Sequence, residues 1–172
     1  MGRYKAPRKA GTALISPAGV RRLREELQHL WREERPRIAK AVQDAAKNGD
    51  RSENGDYIYG KKRLREIDGR VRHLGKRLEV LTVVESRPAD PSRVYFGATV
   101  DYEDEVGARR SVTILGPDEF DALRNEISID APLARALLGK SEGEWVSFAT
   151  PKGEREVEIT GVQYRGFPDE DA

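Results

Sequence analysis

Apolar residues recur at Val20, Leu23, Leu27 and Leu30, three or four positions apart, and a weaker form of the spacing continues through Ile38, Val42 and Ala45. That period predicts an amphipathic helix. Ser16-Pro17 opens it, because serine caps free N–H groups and proline suits the first helical position. Asn48-Gly49 closes it, since both residues tolerate the left-handed conformation at a helix C-terminus. Pro36 lies inside the pattern and removes one backbone donor, which predicts a kink and not a stop. A second stripe, Leu64, Ile67, Val71, Leu74, Leu78 and Leu81, alternates spacings of three and four. This is a coiled-coil seam about two and a half heptads long. Two such helices joined by a short loop fold back antiparallel. With a rise of ~1.5 Å per residue, arms of about 28 residues reach on the order of 40 Å.

Beyond Ser86 the period changes. Pro88 and Pro91 resist helix and mark residues 87–91 as a linker. Runs of β-formers follow at Val94–Val100, Ser111–Leu115, Trp145–Phe148 and Val157–Thr160, with Pro151-Lys152-Gly153 as a hairpin turn between the last two. Residues 132–138 read as a short helix opened by Asp130. The predicted architecture is α + α+β. Residues 1–13 form a flexible basic arm, 14–86 an antiparallel coiled-coil hairpin with its tip at 49–56, and 92–172 a small, mostly antiparallel β-sheet domain with a short helix.

Composition narrows the class. The 172-residue chain has no cysteine and two histidines, His29 and His73. Disulfides, thiolate metal sites and thiol nucleophiles are excluded, and a typical zinc site is short of ligands. No apolar run approaches the roughly 18 residues that span a membrane, and no secretory signal opens the chain. A cytoplasmic protein without a membrane partner is expected. The net charge of +1 conceals an asymmetry. Residues 1–86 carry 21 Lys+Arg against 12 Asp+Glu, and residues 87–172 carry 10 against 18. A basic half suits nucleic acid, and an acidic half suits protein or water.

The predicted tip reads NGDRSENGDYIYG, Asn48 to Gly60, and holds Asp50, Glu53 and Asp56 within seven positions. Acidic residues in a first helical turn answer the helix dipole, and Ser52 with Glu53 can help cap the second helix. Alternatively, grouped carboxylates can hold Mg²⁺ through one or two direct contacts. An exposed tip supplies only part of a coordination sphere, so such a site is half of one completed by a partner.

From Lys61 to Arg77 there are eight Lys+Arg against two acids. At about 100° per residue, Lys61, Arg65, Arg72 and Lys76 fall within about 60° of one another, away from the seam. Arg63, Arg70 and Arg77 lie on the opposite flank. A solvated face with intrahelical pairs explains most such runs. An unbalanced stripe leading to an acidic tip also suits a phosphate backbone laid along the rod. Tyr57 and Tyr59 can either stack on a base or pack against helix.

The tip GDRSENGDY, the run KKRLREID after it, the earlier LWREERP and the later ISIDAPLARALL together resemble the GreB-type bacterial transcript cleavage factors. The resemblance runs from about Leu14 to Tyr164. It implies an FKBP-like C-terminal domain, and a protein that binds bacterial RNA polymerase at the rim of its secondary channel, acting as a monomer. The hairpin would enter the channel and stimulate the polymerase's own Mg²⁺-dependent cleavage of the extruded RNA 3′ end. The protein would not be an enzyme by itself. The resemblance implies that Asp50 and Glu53 help hold the second Mg²⁺ of the polymerase and orient the attacking water. Arg51, Ser52, Asn54 and Tyr57 would support the tip. Lys61, Lys62, Arg65, Arg72 and Lys76 would contact the extruded RNA, and Asp130, Ala131 and Pro132 the polymerase. Gly55 and Ala131 depart from the usual alanine and serine of the family. Two other readings stand beside this one: a free-standing Mg²⁺ ribonuclease, and a channel binder that only inhibits.

Overall fold

The computed structural model describes residues 10–49 and 53–167. They form two compact units. One is Ala18–Leu81, and the described residues before and after it make up the other.

The first unit is the helical hairpin. α1 (Pro17–His29) and α2 (Arg35–Ala45) are joined by a π-helical turn at Leu30–Glu34, and α3 (Gly55–Val80) returns. This turn lies where Pro36 predicts a disturbance of the helix. Proline has no N–H for the carbonyl of residue 32, and its ring would collide with that carbonyl in a regular helix. The backbone instead widens by one residue, so that the Arg35 N–H reaches Leu30 O. Leu23, Leu30, Val42 and Ala45 are buried against Gly60, Ile67 and Leu74, which are seven apart on α3. Gly60 matters for its lack of a side chain: a Cβ there would collide with Val42 Cγ2. Interhelical ion pairs flank the seam, among them Glu26–Arg70 (2.6 Å), Glu34–Arg63 (2.5 Å) and Arg35–Asp68 (2.7 Å). Arg35 also lies over the exposed Trp31 ring, 5.4 Å from its centroid.

The second unit is built on a curled five-stranded sheet. Its strands are β3 (Thr99–Asp104), β4 (Arg109–Leu115), β5 (Glu126–Ser128), β6 (Trp145–Thr150) and β7 (Gly153–Gln163), in the order β5-β4-β3-β7-β6. α4 (Pro132–Leu137) packs on it, and Val100, Ile114, Leu137 and Ile159 are fully buried between. The turn between β6 and β7 is the expected one, with Gly153 at φ 120°. The sheet is mixed and not wholly antiparallel, because β5 runs parallel to β4. The β-rich run Val94–Ala98 is a loop, and the strand begins only at Thr99.

The unit boundaries also differ from the expected ones. β1 (Leu14–Ile15) pairs in parallel with β2 (Thr82–Val83), and both belong to the sheet-bearing unit. Residues 10–13 are part of that unit too: Ala13 O accepts from the Thr82 N–H at 2.9 Å. Of the expected arm, residues 10–13 are held in this unit and residues 1–9 lie outside the described residues; residues 87–91 lie within the unit instead of joining two domains. Two-residue strands carry no period of their own, so only their distant pairing makes them visible. Among the described residues, no helix is long and apolar enough to cross a membrane.

Candidate functional site

The tip is organised by Asn54. Its backbone is extended and its Oδ1 accepts from the Tyr57 N–H (3.2 Å), which makes it the N-cap of α3. Its Nδ2 donates to Ala45 O at 2.7 Å, a carbonyl at the end of α2 that also accepts from the Asn48 N–H at 3.1 Å. One amide thus ties the end of one helix to the start of the next. Asn54 is the cap, a residue whose cap preference makes it legible beforehand, while Ser52 lies outside the described residues.

Glu53 stands exposed immediately before this cap, and Asp56 is in the first turn of α3. Both line an open depression of about 500 Å³ with Asn48, Asn54 and the Ala45 backbone. Asp50, Arg51 and Ser52 lie outside the described residues. Among the described residues no group of three His, Cys, Asp or Glu is placed to hold a metal. The donor set there is hard carboxylate oxygen in an open setting, which fits a partial Mg²⁺ shell and not a closed one.

Along α3 the cations divide into two kinds. Arg63 donates to Glu34 and Glu66, and Arg70 donates to Glu26 through two bonds of 2.6 and 2.9 Å. That bond to Arg70 holds the Glu26 carboxyl below the usual carboxylate range. These arginines close the hairpin. Lys61, Lys62, Arg65, Arg72 and Lys76 are exposed, and none of the five forms an ion pair with a described residue. The stripe read from helical spacing is therefore positive charge without local compensation. At about 100° per residue, the half-buried Tyr57 adjoins its Lys61 edge. Tyr59, 70% exposed, points to the Arg63 and Arg70 flank. His29 sits on the helix surface with Nδ1 3.1 Å from Glu33.

Two family models match in chain order, one described as "Transcription elongation factor, N-terminal" over residues 13–83 and one as "Transcription elongation factor, GreA/GreB, C-term" over residues 88–164. The chain belongs to the GreA/GreB family of transcription elongation factors. Among its relatives is the transcription elongation factor GreB of Pseudomonas aeruginosa, 56% identical over 98% of this chain and 100% of that protein. GreB of Yersinia pestis is 53% identical over 91% of each. Among solved structures, GreA factor homolog 1 of Thermus thermophilus is 27% identical, covering 88% of this chain and 98% of that one at a TM-score of 0.41.

The remaining predicted site residues of this GreA/GreB chain lie in the sheet-bearing unit, at the corner between β5 and α4. Pro132 is the first residue of α4 and exposed, and Ala131 is its N-cap without a side-chain bond. Asp130 does not cap α4 as expected. Its carboxylate accepts from the Thr12 N–H (2.9 Å) and the Thr12 hydroxyl (2.5 Å). In the same way Ser16 gives its N–H (2.9 Å) and its hydroxyl to the buried Glu119.

Proposed function

We propose that this protein binds bacterial RNA polymerase at the rim of the secondary channel and stimulates the polymerase's own cleavage of the RNA 3′ end extruded from backtracked complexes. It acts as a monomer in the cytoplasm and is not an enzyme by itself. The observation that carries this reading is the uncompensated cation stripe of α3, which begins two turns from a tip built around Glu53 and a bridging Asn54. A phosphate backbone laid along α3 neutralises that stripe and is led to the carboxylates.

Each part has a physical task. The rod, about 39 Å of α3 at ~1.5 Å per residue for its 26 residues, presents the tip at its end. Asp50 and Glu53 bring carboxylate oxygens to a site that the polymerase completes, and hold the water that attacks the phosphodiester. Mg²⁺, shared with the polymerase, supplies charge stabilisation at the reacting phosphate when bound. Asn54 fixes where Glu53 stands. Asp130, Ala131 and Pro132 belong to the surface that grips the polymerase.

Backtracked polymerase incubated with the protein tests the reading. Shortened RNA and resumed elongation are expected, with Asp50→Asn and Glu53→Gln retaining polymerase binding and losing at least about a hundredfold in stimulated cleavage, the scale of losing a positioned catalytic group. Cleavage surviving both changes would refute the assignment to the tip. RNA cut without polymerase would point instead to a free-standing ribonuclease, and blocked transcription without cleavage to an inhibitor.

A further inference from the structure

Trp31 is 55% exposed and lies inside the π-helical turn of Leu30–Glu34. A one-residue widening of this kind inside an α-helix is frequently found at functional sites. The buried residue of the turn, which joins the seam, is Leu30. The indole of Trp31 is instead held by a cation. Arg35 lies over the ring, 5.4 Å from its centroid, and is itself fixed by two bonds to Asp68, 2.7 Å from Nε and 3.4 Å from Nη2. The guanidinium covers one face of the ring, and more than half of the residue stays open to solvent.

The ion pair shows which flank of the rod this is. At about 100° per residue, Asp68 falls within about 80° of Lys61, Arg65, Arg72 and Lys76, on the side of the seam away from Arg63 and Arg70. Arg35, and with it Trp31, therefore shares a flank with the uncompensated stripe. Spacing along α1 agrees. Glu26, which bonds Arg70 on the opposite flank, is five residues from Trp31, and that interval turns two side chains away from each other on a helix. The helices run antiparallel, so four residues back from Arg35 matches four residues on from Asp68. Trp31 thus stands level with Arg72, about 26 Å along α3 from Gly55 at ~1.5 Å per residue. An exposed aromatic beside a row of free cations suits a single-stranded nucleic acid, whose phosphates meet the cations while a base lies on the ring. Among the described residues the hairpin's other exposed aromatic, Tyr59, lies on the flank whose arginines are paired with glutamates.

We propose that Trp31 is a stacking platform for one base of the extruded RNA, and that it sets specificity by adding affinity only where the extruded strand is long enough to reach the level of Arg72. The base takes the face that Arg35 leaves open, and Asp68 positions the ring through Arg35. This rests on the reading above that RNA lies along the stripe. It adds a contact that accepts any base, because every base has a π-face.

The test measures the protein concentration giving half-maximal cleavage on two backtracked substrates. The short one has one or two extruded nucleotides, and the long one has extruded RNA that passes Arg72. Trp31→Ala is expected to raise that concentration about tenfold on the long substrate, within the range for one base stacked on an aromatic side chain, and to leave it unchanged on the short one. Trp31→Phe, which keeps a π-face, should recover most of the loss. Trp31→Leu, apolar but without a π-face, should not. Photocrosslinking from 5-iodouridine placed in the extruded RNA, with Mg²⁺ withheld so that the strand stays whole, should reach Trp31. Equal losses on both substrates would overturn the proposal in favour of a contact with the polymerase itself. Wild-type behaviour of Trp31→Ala on the long substrate, full recovery in Trp31→Leu, or crosslinks that miss Trp31 would overturn it too. Should Trp31→Ala not fold, the phenylalanine and leucine variants and the crosslink still decide. Absence of stimulated cleavage by the wild-type protein on both substrates would refute the proposed function and is read separately.

Discussion

Asn54 concentrates two functions in one side chain. Its carbonyl oxygen caps α3 and its amide nitrogen closes the last turn of α2. The first serves an N–H that the start of a helix leaves without an intrahelical partner, and the second joins the Asn48 N–H bond on Ala45 O. Replacing it by alanine removes both, and a lost cap alone costs about 1 kcal/mol, up to about 2. Asn54→Ala is therefore expected to lower hairpin stability by at least that much in chemical denaturation. It should also reduce stimulated cleavage more than polymerase binding, because Glu53 loses its fixed neighbour. Asn54→Ser, which keeps an acceptor for the Tyr57 N–H but has no amide to reach Ala45, should fall between. Equal stability of the alanine variant and the wild type would show that the bridge between the two helices contributes nothing.

In the helices, what was legible in the sequence was what is local. The seam of α3 follows from its spacing, and Ile67 and Leu74 are each 1% exposed. The turn at Gly153 follows from its residues. The π-helical turn was not legible, because the proline predicts a disturbance without saying whether the helix bends or widens. Nor were β1 and β2, or the Thr12–Asp130 contact ahead of α1, because each exists through partners about 70 to 118 positions away. The stripe on α3 was legible in position, yet only the placement of Glu34, Glu26 and Asp68 shows which cations are neutralised. Two glycines of α3 give opposite predictions from one sequence property. A Cβ at Gly55 meets nothing within 4 Å, so Gly55→Ala should stabilise the hairpin by about 1 kcal/mol through helix propensity. At Gly60 the added methyl would collide with Val42, whose branched side chain has one strongly preferred rotamer in a helix. Overpacking of this kind costs about 1–3 kcal/mol, so Gly60→Ala should destabilise despite the better propensity. Denaturant midpoints of the two variants check the signs, and a shared sign would contradict the packing described for the tip.

Across the whole molecule, charge is sorted by task. The basic half carries the rod and the acidic half the sheet, and within the rod the arginines facing the partner helix are paired while the outer stripe is not. Pairing makes the first set insensitive to an added polyanion, and the absence of local pairs makes the second set available to one. Salt therefore separates the two. Each cation neutralising a phosphate of a single strand contributes about 0.7 to the slope of log affinity against log salt. Changing Arg65, Arg72 and Lys76 to serine should flatten that slope, measured from the protein concentration giving half-maximal cleavage, by up to about 2. The effect should be larger for complexes with long extruded RNA than for those with one or two extruded nucleotides, because only the longer strand reaches past the first turns of α3. Hairpin stability should fall only by the helix-propensity difference, about 1 kcal/mol in all, since no interhelical ion pair is touched. An unchanged salt slope on the longer substrates would mean that the stripe does not lie along RNA, and would leave the channel wall of the polymerase as the surface it faces.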